Sequence, residues 1–331
     1  MKFAIPIIAC MLALAAPTAP AATPARPQVL VPVKVSPHVY YFHGRSGMAD
    51  GANQGFMSNA GFVVTRDGVV VFDALGTPAL GAAMIKAIRK VTAQPVRRVI
   101  VSHFHADHFY GLQAFKAQGA QIWAHEQGRA YLASDMAATR LAQRKEALAP
   151  WIDDATRLTG ADRWLSFADG KSIAFEMGGV RFRIIDMSGA HAPDDIMLAV
   201  DDDKVLFAGD LFFSGRIPFV GEADSRVWLD ALERMLALAP QAVIPGHGEL
   251  SRSPARDIAL TRDYLTFLRR VMGDAVADLD AFDDAYGKID WSAFDKYPAF
   301  AQANRLNAYG TYLLMERESL QQKKIPAAPR P

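Results

Sequence analysis

Val99-Ile100-Val101-Ser102-His103-Phe104-His105-Ala106-Asp107-His108 is the stretch on which the reading of this chain turns. An apolar run that suits a buried strand, Arg98–Val101, leads directly into three histidines and an aspartate within six residues. In an extended segment, residues two apart point to the same side, so His103 and His105 can grip one metal ion together. Asp107 and His108, placed where the chain must turn, can address a second ion beside it. Packing alone gives no reason to gather so many ligating side chains at a strand end.

Further ligands stand where other strands end. His191 follows the strand segment before Ser188-Gly189-Ala190, Asp210 follows Lys204–Ala208 through Gly209, and His247 follows Ala242–Ile244 inside Pro245-Gly246-His247-Gly248. Each lies in a glycine-containing turn beyond an apolar run, a design that lines one edge of a sheet with polar side chains where a crevice can form. Five of the eight histidines fall in these motifs. The other three, His38, His43 and His125, read as structural or surface residues.

The surrounding pattern alternates strands and helices. Ala60–Thr65, the turn Arg66-Asp67-Gly68 and Val69–Phe72 form a strand pair ending in Asp73. Thr77-Pro78 starts a helix with the stripe Leu80, Met84, Ile85 and Ile88. Gln121–Ala124 reads as a strand and Glu126–Leu148 as a helix; Lys171–Phe175, Val180–Asp186, Ile196–Val200 and Lys204–Ala208 read as successive strands, and Ser225–Leu238 as a helix. This alternation predicts a layered α/β sandwich over residues 28–253. From Pro254 the pattern turns helical, predicting a C-terminal extension over 254–320 and a disordered tail over 321–331. Val29–Val35 and Val39–His43 have strand character, and the glycines at 44, 47, 51 and 55 predict a mobile loop, a candidate substrate flap.

With 331 residues, 51% apolar, the chain can build a sizeable core. Its net charge of +1 and the lack of a basic stripe argue against nucleic acid and anionic membrane as partners, leaving a small-molecule substrate. Lys2, the apolar run Phe3–Ala16 and the small residues Ala19-Pro20-Ala21 read as a cleavable signal over residues 1–22, which implies a periplasmic or secreted protein without a permanent transmembrane anchor. Attachment as a lipoprotein through Cys10 is the less favoured variant. Cleavage removes Cys10, the only cysteine, and with it any disulfide, thiol nucleophile or thiolate ligand. Metal chemistry must then rest on imidazole and carboxylate. The oligomeric state is left open.

HFHADH, followed in order by Gly189–His191, Gly209-Asp210 and Pro245–Gly248, resembles the HxHxDH signature and later ligand motifs of the metallo-β-lactamase superfamily. The resemblance runs from about Val39 to Gly248 and implies a four-layer αββα fold. It implies two Zn2+, with iron or manganese as variants: one ion on His103, His105 and His191, the other on Asp107, His108 and His247, with Asp210 bridging as in the glyoxalase II-like branch. Asp107 would also orient the activated water, and Asp73 would support a ligand histidine without binding metal. By this resemblance the chain is a hydrolase of a thioester, ester or lactam-type bond. β-Lactamase activity proper, a mononuclear iron persulfide dioxygenase and a non-catalytic zinc-binding accessory protein are the alternatives.

Two departures bear on substrate. Phe109-Tyr110 follows the signature where glutathione thioesterases carry small residues, and Ala192-Pro193-Asp194-Asp195 follows His191, adding carboxylates nearby. Tyr110 is a candidate oxyanion donor. Asn59–Thr65, Asp73–Pro78 and Asn304-Arg305-Leu306-Asn307 resemble periplasmic members found alongside sulfur-oxidation and quinoprotein systems. Helical extensions in related hydrolases line the cleft, which makes Arg305, Asn307 and Tyr309 candidate substrate contacts.

Overall fold

Alternate residues along each central strand part to opposite sides, and that partition builds the layers. Val69 and Val71 join a cluster with Leu80 and Met84, whereas Val70 and Phe72 join one with Phe182, Ile184, Leu198 and Phe207. The second sheet repeats this: Leu198 and Phe207 face the first sheet, and Met197 and Leu206 pack with Trp228, Leu232 and Leu265. Period-two alternation in strands covered on both faces requires this arrangement. The result is helices, sheet, sheet, helices, as expected. Each Val, Leu or Phe so buried contributes roughly 1.5–3 kcal/mol.

The computed structural model describes residues 27–167 and 171–324, except the side chains of 322–324. The expected signal segment and the tail beyond 324 lie outside the described residues. In chain order the first half comprises β1 (Val33–Lys34), β2 (Val39–Phe42), β3 (Ala60–Thr65), β4 (Gly68–Phe72), α1 (Pro78–Val91), β5 (Val96–Ile100), α2 (Ala106–Phe109), α3 (Leu112–Lys116), β6 (Gln121–His125), α4 (Gly128–Leu132), α5 (Asp135–Leu148) and β7 (Arg163–Leu165). The second comprises β8 (Ser172–Met177), β9 (Val180–Asp186), β10 (Ile196–Val200), β11 (Val205–Phe213), α6 (Ser225–Ala237), β12 (Ala242–His247), α7 (Pro254–Asp257), α8 (Ala259–Ala277), α9 (Phe282–Lys288) and α10 (Phe300–Lys324).

Strands β1 to β7 form one sheet in sequence order, antiparallel through β4 and parallel from β4 to β7. The other sheet has the order β12-β11-β10-β9-β8, with only β11 and β12 parallel. Parallel neighbours bring their C-terminal ends to one edge: Asp73 leaves β4, Ser102 and His103 leave β5, and Asp210 and His247 lie late in β11 and β12. Crevices outside the carboxyl ends of such strands are where α/β sheets bind ligands.

Several local expectations are corrected. One helix over 126–148 is two, because Ser134 caps α5 by accepting from the Ala137 amide. The strand expected over Val29–Val35 is reduced to Val33–Lys34, and α10 runs to Lys324, into the expected tail. Asp210 does not follow its strand but lies within β11, whose pairing with β12 shifts register on either side of Gly209 (φ +54°). Such an irregularity re-aims a side chain without ending the strand. The glycine-rich loop is a buttress in its second half: residues 53–59 are buried, and Asn53 Oδ1 accepts from the Asp50 and Gly55 amides. No helix among the described residues is long and apolar enough to cross a membrane.

Candidate metal centre

Seven side chains from four stretches of chain converge at that edge. His103, His105, His191 and Asp210 offer ligand atoms within 4.8 Å of one another, and so do Asp107, His108 and His247. Asp210 joins the two groups. Its Oδ1 lies 3.1 Å from His108 Nε2 and 3.3 Å from His247 Nε2, and its Oδ2 lies 3.5 Å from His191 Nε2 and 3.9 Å from His103 Nε2. Asp107 Oδ2 lies 3.3 Å from His247 Nε2 and 3.5 Å from His108 Nε2. All seven sequence-predicted ligands are therefore brought together.

The outer ring nitrogens of His103, His108 and His247 are tied down so that their inner ones are free to bind. His108 Nδ1 donates to Asp73 Oδ2 at 2.8 Å, and His247 Nδ1 donates to the Met57 carbonyl at 2.9 Å. Ser102 Oγ donates to Asp73 Oδ2 at 2.8 Å and accepts from His103 Nδ1 at 2.9 Å. These partners fix the tautomers that leave Nε2 with a lone pair facing the cluster. Asp73 thus reaches His108 directly and His103 through Ser102. Its Oδ1 also accepts from the Ser102 amide at 2.7 Å, pinning the strand end that launches His103.

Residues that sequence reasoning did not single out complete the frame. Asn59 donates through Nδ2 to the carbonyls of Pro245 and Gly248, at 2.8 and 2.9 Å, and its amide bonds Gly246 O, so the loop carrying His247 is held from three points. Ser58 Oγ donates to the Asp107 carbonyl at 2.6 Å. Phe213 stacks flat on His247, with ring centroids 5.1 Å apart, and Trp228 meets His191 edge to face at 5.0 Å. Gly246 has to lack a side chain, since a Cβ there would stand 2.0 Å from Asp210 Oδ1. The backbone signal at this position was visible in Pro245-Gly246-His247-Gly248; the partners of Asn59 were not.

The electrostatics are those of a cation site. Burial pulls His103 well below its ordinary value, with the positive neighbours His105 and His108 adding to it, and burial takes His191 down to about 3. Burial opposes charge at His108 too, but Asp210, Asp107 and Asp73 reverse it and raise His108 well above the ordinary range. His247 is raised for the same reason by Asp210 and Asp107. Burial would raise Asp107 and Asp210, yet the surrounding imidazoles hold both carboxyls low. His103 Nε2, His108 Nε2 and Asp210 Oδ1 are buried with no hydrogen-bond partner, which is costly unless a ligand completes them. Imidazole and carboxylate donors clustered in this way fit divalent zinc, and iron or manganese by the same donor chemistry.

Asp194 and Asp195 are buried beside the site and hold backbone: Asp194 Oδ2 accepts from the Phe104 amide at 3.0 Å, and Asp195 Oδ2 from the Ala192 amide at 2.6 Å. Of the four candidate substrate-binding residues, Arg305, Asn307 and Tyr309 are engaged elsewhere. Tyr110 packs in the core between the first sheet and its helices, against Phe109, and its hydroxyl is buried. Arg305 is at the surface, paired with Asp283 at 2.5 Å and stacked over Phe282 and Tyr286. Asn307 is fully buried, bonded to the Val220 amide and the Pro218 carbonyl, each at 2.8 Å. Tyr309 is half exposed and packs on Phe282. His125 accepts from the Gln127 amide and stacks on Phe167, a structural role as expected.

Comparison with known proteins agrees with this geometry. The linear primary-alkylsulfatase of Pseudomonas sp. (strain ATCC 19151) is 21% identical over 238 residues, covering 61% of this chain and 44% of that protein. Metallo-beta-lactamase IND-1 of Chryseobacterium indologenes is 24% identical over 223 residues, 66% of this chain and 81% of that protein. Among solved structures, the sec-alkylsulfatase Pisa1 from Pseudomonas sp. superposes with a TM-score of 0.67 at 17% identity, covering 91% of this chain and 52% of that one. A metallo-beta-lactamase from Pontibacter korlensis gives a TM-score of 0.54 at 20% identity, covering 72% of this chain and 99% of that one. The chain thus spans about half the length of the alkylsulfatases it matches. The sequence profile described as Metallo-beta-lactamase superfamily matches residues 53–247, a span that holds all seven converging ligands. This chain belongs to the metallo-β-lactamase superfamily.

Proposed function

We propose that the chain is an exported, dinuclear zinc-dependent hydrolase of an ester-class bond: carboxylic ester, thioester, sulfate ester or lactam. One observation carries this reading, the convergence of two ligand sets joined through Asp210. Divalent cations held there supply Lewis acidity, making water a competent nucleophile near neutral pH and stabilising charge on the leaving group. The remaining work falls to the chain. Asp107, the more exposed of the two cluster carboxylates, accepts a hydrogen bond from the attacking water and so orients it. Asp73 and Ser102 keep His108 and His103 in their binding tautomers, and Asn59 fixes the His247 loop. Phe213 and Trp228 wall the ligands with apolar surface, which strengthens every interaction inside.

A mononuclear iron dioxygenase would leave the second ligand set unused, whereas here Asp107, His108 and His247 are gathered as tightly as the first. Sulfate esters head the candidate substrates, because the alkylsulfatase likeness extends over 91% of the chain and the lactamase likeness over 72%. Metal analysis followed by a panel of alkyl sulfates, thioesters, lactones and lactams, with and without chelator, tests the reading. Two zinc ions per chain and chelator-sensitive hydrolysis are expected; a single iron with oxygen consumption, or tight zinc without turnover of any substrate, contradicts it. Export rests on Lys2, the apolar run Phe3–Ala16 and Ala19-Pro20-Ala21. Mass spectrometry of the mature protein should find an N-terminus just after that stretch.

A further inference from the structure

Outside the first sheet, between the start of α1, α3 and the segment that follows α5, lies a cavity of about 250 Å3 that the metal centre does not use. Pro78, Gln113, Pro150, Trp151, Asp153 and Thr156 line it. None of the seven metal ligands borders it, and neither does any Lys, Arg or His among the described residues. The cations nearest in sequence are committed elsewhere: Lys145 pairs with Asp154 at 3.0 Å, and Arg157 donates to the carbonyls of Asp154 and Thr156.

Most polar groups in this wall are already spent. Trp151 Nε1 donates to the Gly51 carbonyl at 2.9 Å. Gln113 Oε1 accepts from the Arg157 amide at 2.8 Å, and its Nε2 donates to the Ala155 carbonyl at 3.3 Å. The Thr156 hydroxyl accepts from the Asp153 amide at 3.1 Å and donates to Asp153 Oδ1 at 3.3 Å, and that oxygen also accepts from the Ala155 amide at 2.9 Å. The start of α1 offers few donors, because Pro78 has no N–H and the Leu80 and Gly81 amides donate to Thr77. What remains free is Asp153 Oδ2, which has no partner among the described residues, and the Trp151 ring, on which no cation or other ring stacks. An indole, two proline rings and one free carboxylate oxygen together suit a small organic cation: the ring face attracts its charge, the carboxylate pairs with it and the prolines take its apolar body. An anion would meet the charge of Asp153 instead.

The same wall bears on the metal centre. The carbonyl that Trp151 holds belongs to the glycine-rich loop, whose residues 45–52 are at least partly exposed. Further along that loop, Gly55 packs so closely that a Cβ would stand 3.1 Å from Leu148 Cδ1 and 3.5 Å from Thr77 Cγ2. Gly76 closes the contact from the other side, where a Cβ would stand 2.8 Å from the Gly55 carbonyl oxygen and 3.3 Å from Cα of the ligand Asp107. Trp151 thus joins the cavity to the loop that packs beside Asp107.

We propose that this cavity binds a small organic ammonium ion between Trp151 and Asp153, and that its occupancy steadies residues 45–52 of the glycine-rich loop through the hydrogen bond from Trp151 to Gly51. The proposal stands apart from the hydrolase reading, and its test needs no turnover. The chlorides of n-butylammonium and tetramethylammonium are titrated into the zinc-reconstituted full chain, with n-butanol as the neutral control and sodium acetate as the anionic one, and binding is followed by saturation-transfer NMR. Wild type should bind at least one ammonium ion, and its preference distinguishes a primary from a quaternary amine as the source. n-Butanol should bind more weakly than n-butylammonium, and acetate should displace neither ion. D153N keeps an oxygen for the Ala155 amide but loses the charge, so its affinity should fall by about fivefold, the upper end for a partly exposed ion pair. W151F keeps a ring in the wall but has no N–H, so it should bind within about threefold of wild type while breaking the link to the loop. Amide hydrogen exchange over 45–52 should therefore slow on ammonium binding in wild type and not in W151F. No binding of either ion by wild type, equal affinity in D153N, n-butanol binding as tightly as n-butylammonium, or displacement by acetate overturns the cation site. Unchanged exchange in wild type, or equal slowing in W151F, overturns the coupling to the loop.

Discussion

Replacing Asp73 by Asn separates the two halves of the metal centre. Asp73 has a left-handed backbone (φ +62°), which Asn tolerates, so the exchange adds little strain. The amide oxygen can go on accepting from the Ser102 amide, now at 2.7 Å. The amide nitrogen then stands where Oδ2 accepted from His108 Nδ1 and Ser102 Oγ, both at 2.8 Å. An amide N–H must donate, so His108 has to present Nδ1 as acceptor and carry its proton on Nε2. That nitrogen then points a hydrogen, not a lone pair, at the cluster. Supporting partners of metal-bound histidines are worth about 10- to 100-fold in affinity, or roughly 1.4–2.7 kcal/mol. The whole of that loss should fall on the Asp107, His108 and His247 set. His103 should suffer less, because the Ser102 hydroxyl between it and Asp73 can accept from both. Zinc titration against a chromophoric chelator should resolve one weakened and one nearly normal ion in D73N, and S102A should weaken only the ion on the His103 set. Equal weakening of both ions in S102A, or unchanged binding of both in D73N, would refute the reasoning.

Other outcomes follow from the same geometry. The carboxylate neighbours of His108 and His247 raise both and so favour their protonated forms before metal binds. Ligation must expel those protons, so zinc uptake should acidify a weakly buffered solution and affinity should climb with pH; uptake with no proton release would contradict this. G246A should lose metal, since its Cβ would stand 2.0 Å from Asp210 Oδ1 and 2.6 Å from the Gly209 carbonyl carbon, and metal analysis beside circular dichroism checks it. Burial raises the Asp194 carboxyl to about 6. A carboxyl raised on folding adds stability below its unfolded value and loses it as pH climbs through the folded one, so the metal-free chain should weaken between about pH 4 and 6 by up to about 3 kcal/mol. D194N should flatten that part of the denaturation profile.

Much of the fold was legible because its signals are local. Strands buried on both faces read as apolar runs, and the ligands sit beside glycines where those runs break, so the order HFHADH, His191, Asp210, His247 could be read directly. What escaped depends on partners far away in sequence. Asn59 looks like any polar residue before a strand until the loop carrying His247 folds onto it. Asn307 suggested a substrate contact by its place in a helical extension, but its side chain is spent on residues 218–221. Arg216 stands in a polar interruption of Leu211–Val220, and nothing nearby signals that its guanidinium will be buried. The split of α4 from α5 turned on one serine hydroxyl, a cap that competes with helical periodicity only weakly in sequence.

The account depends most directly on two cations sharing Asp210. Anomalous diffraction from crystals of the zinc-loaded protein, recorded on both sides of the zinc edge, measures this without reference to any substrate. Two peaks about 3.5–4 Å apart are predicted, one among His103, His105 and His191 and one among Asp107, His108 and His247. A single peak, or zinc bound away from these side chains, would contradict it.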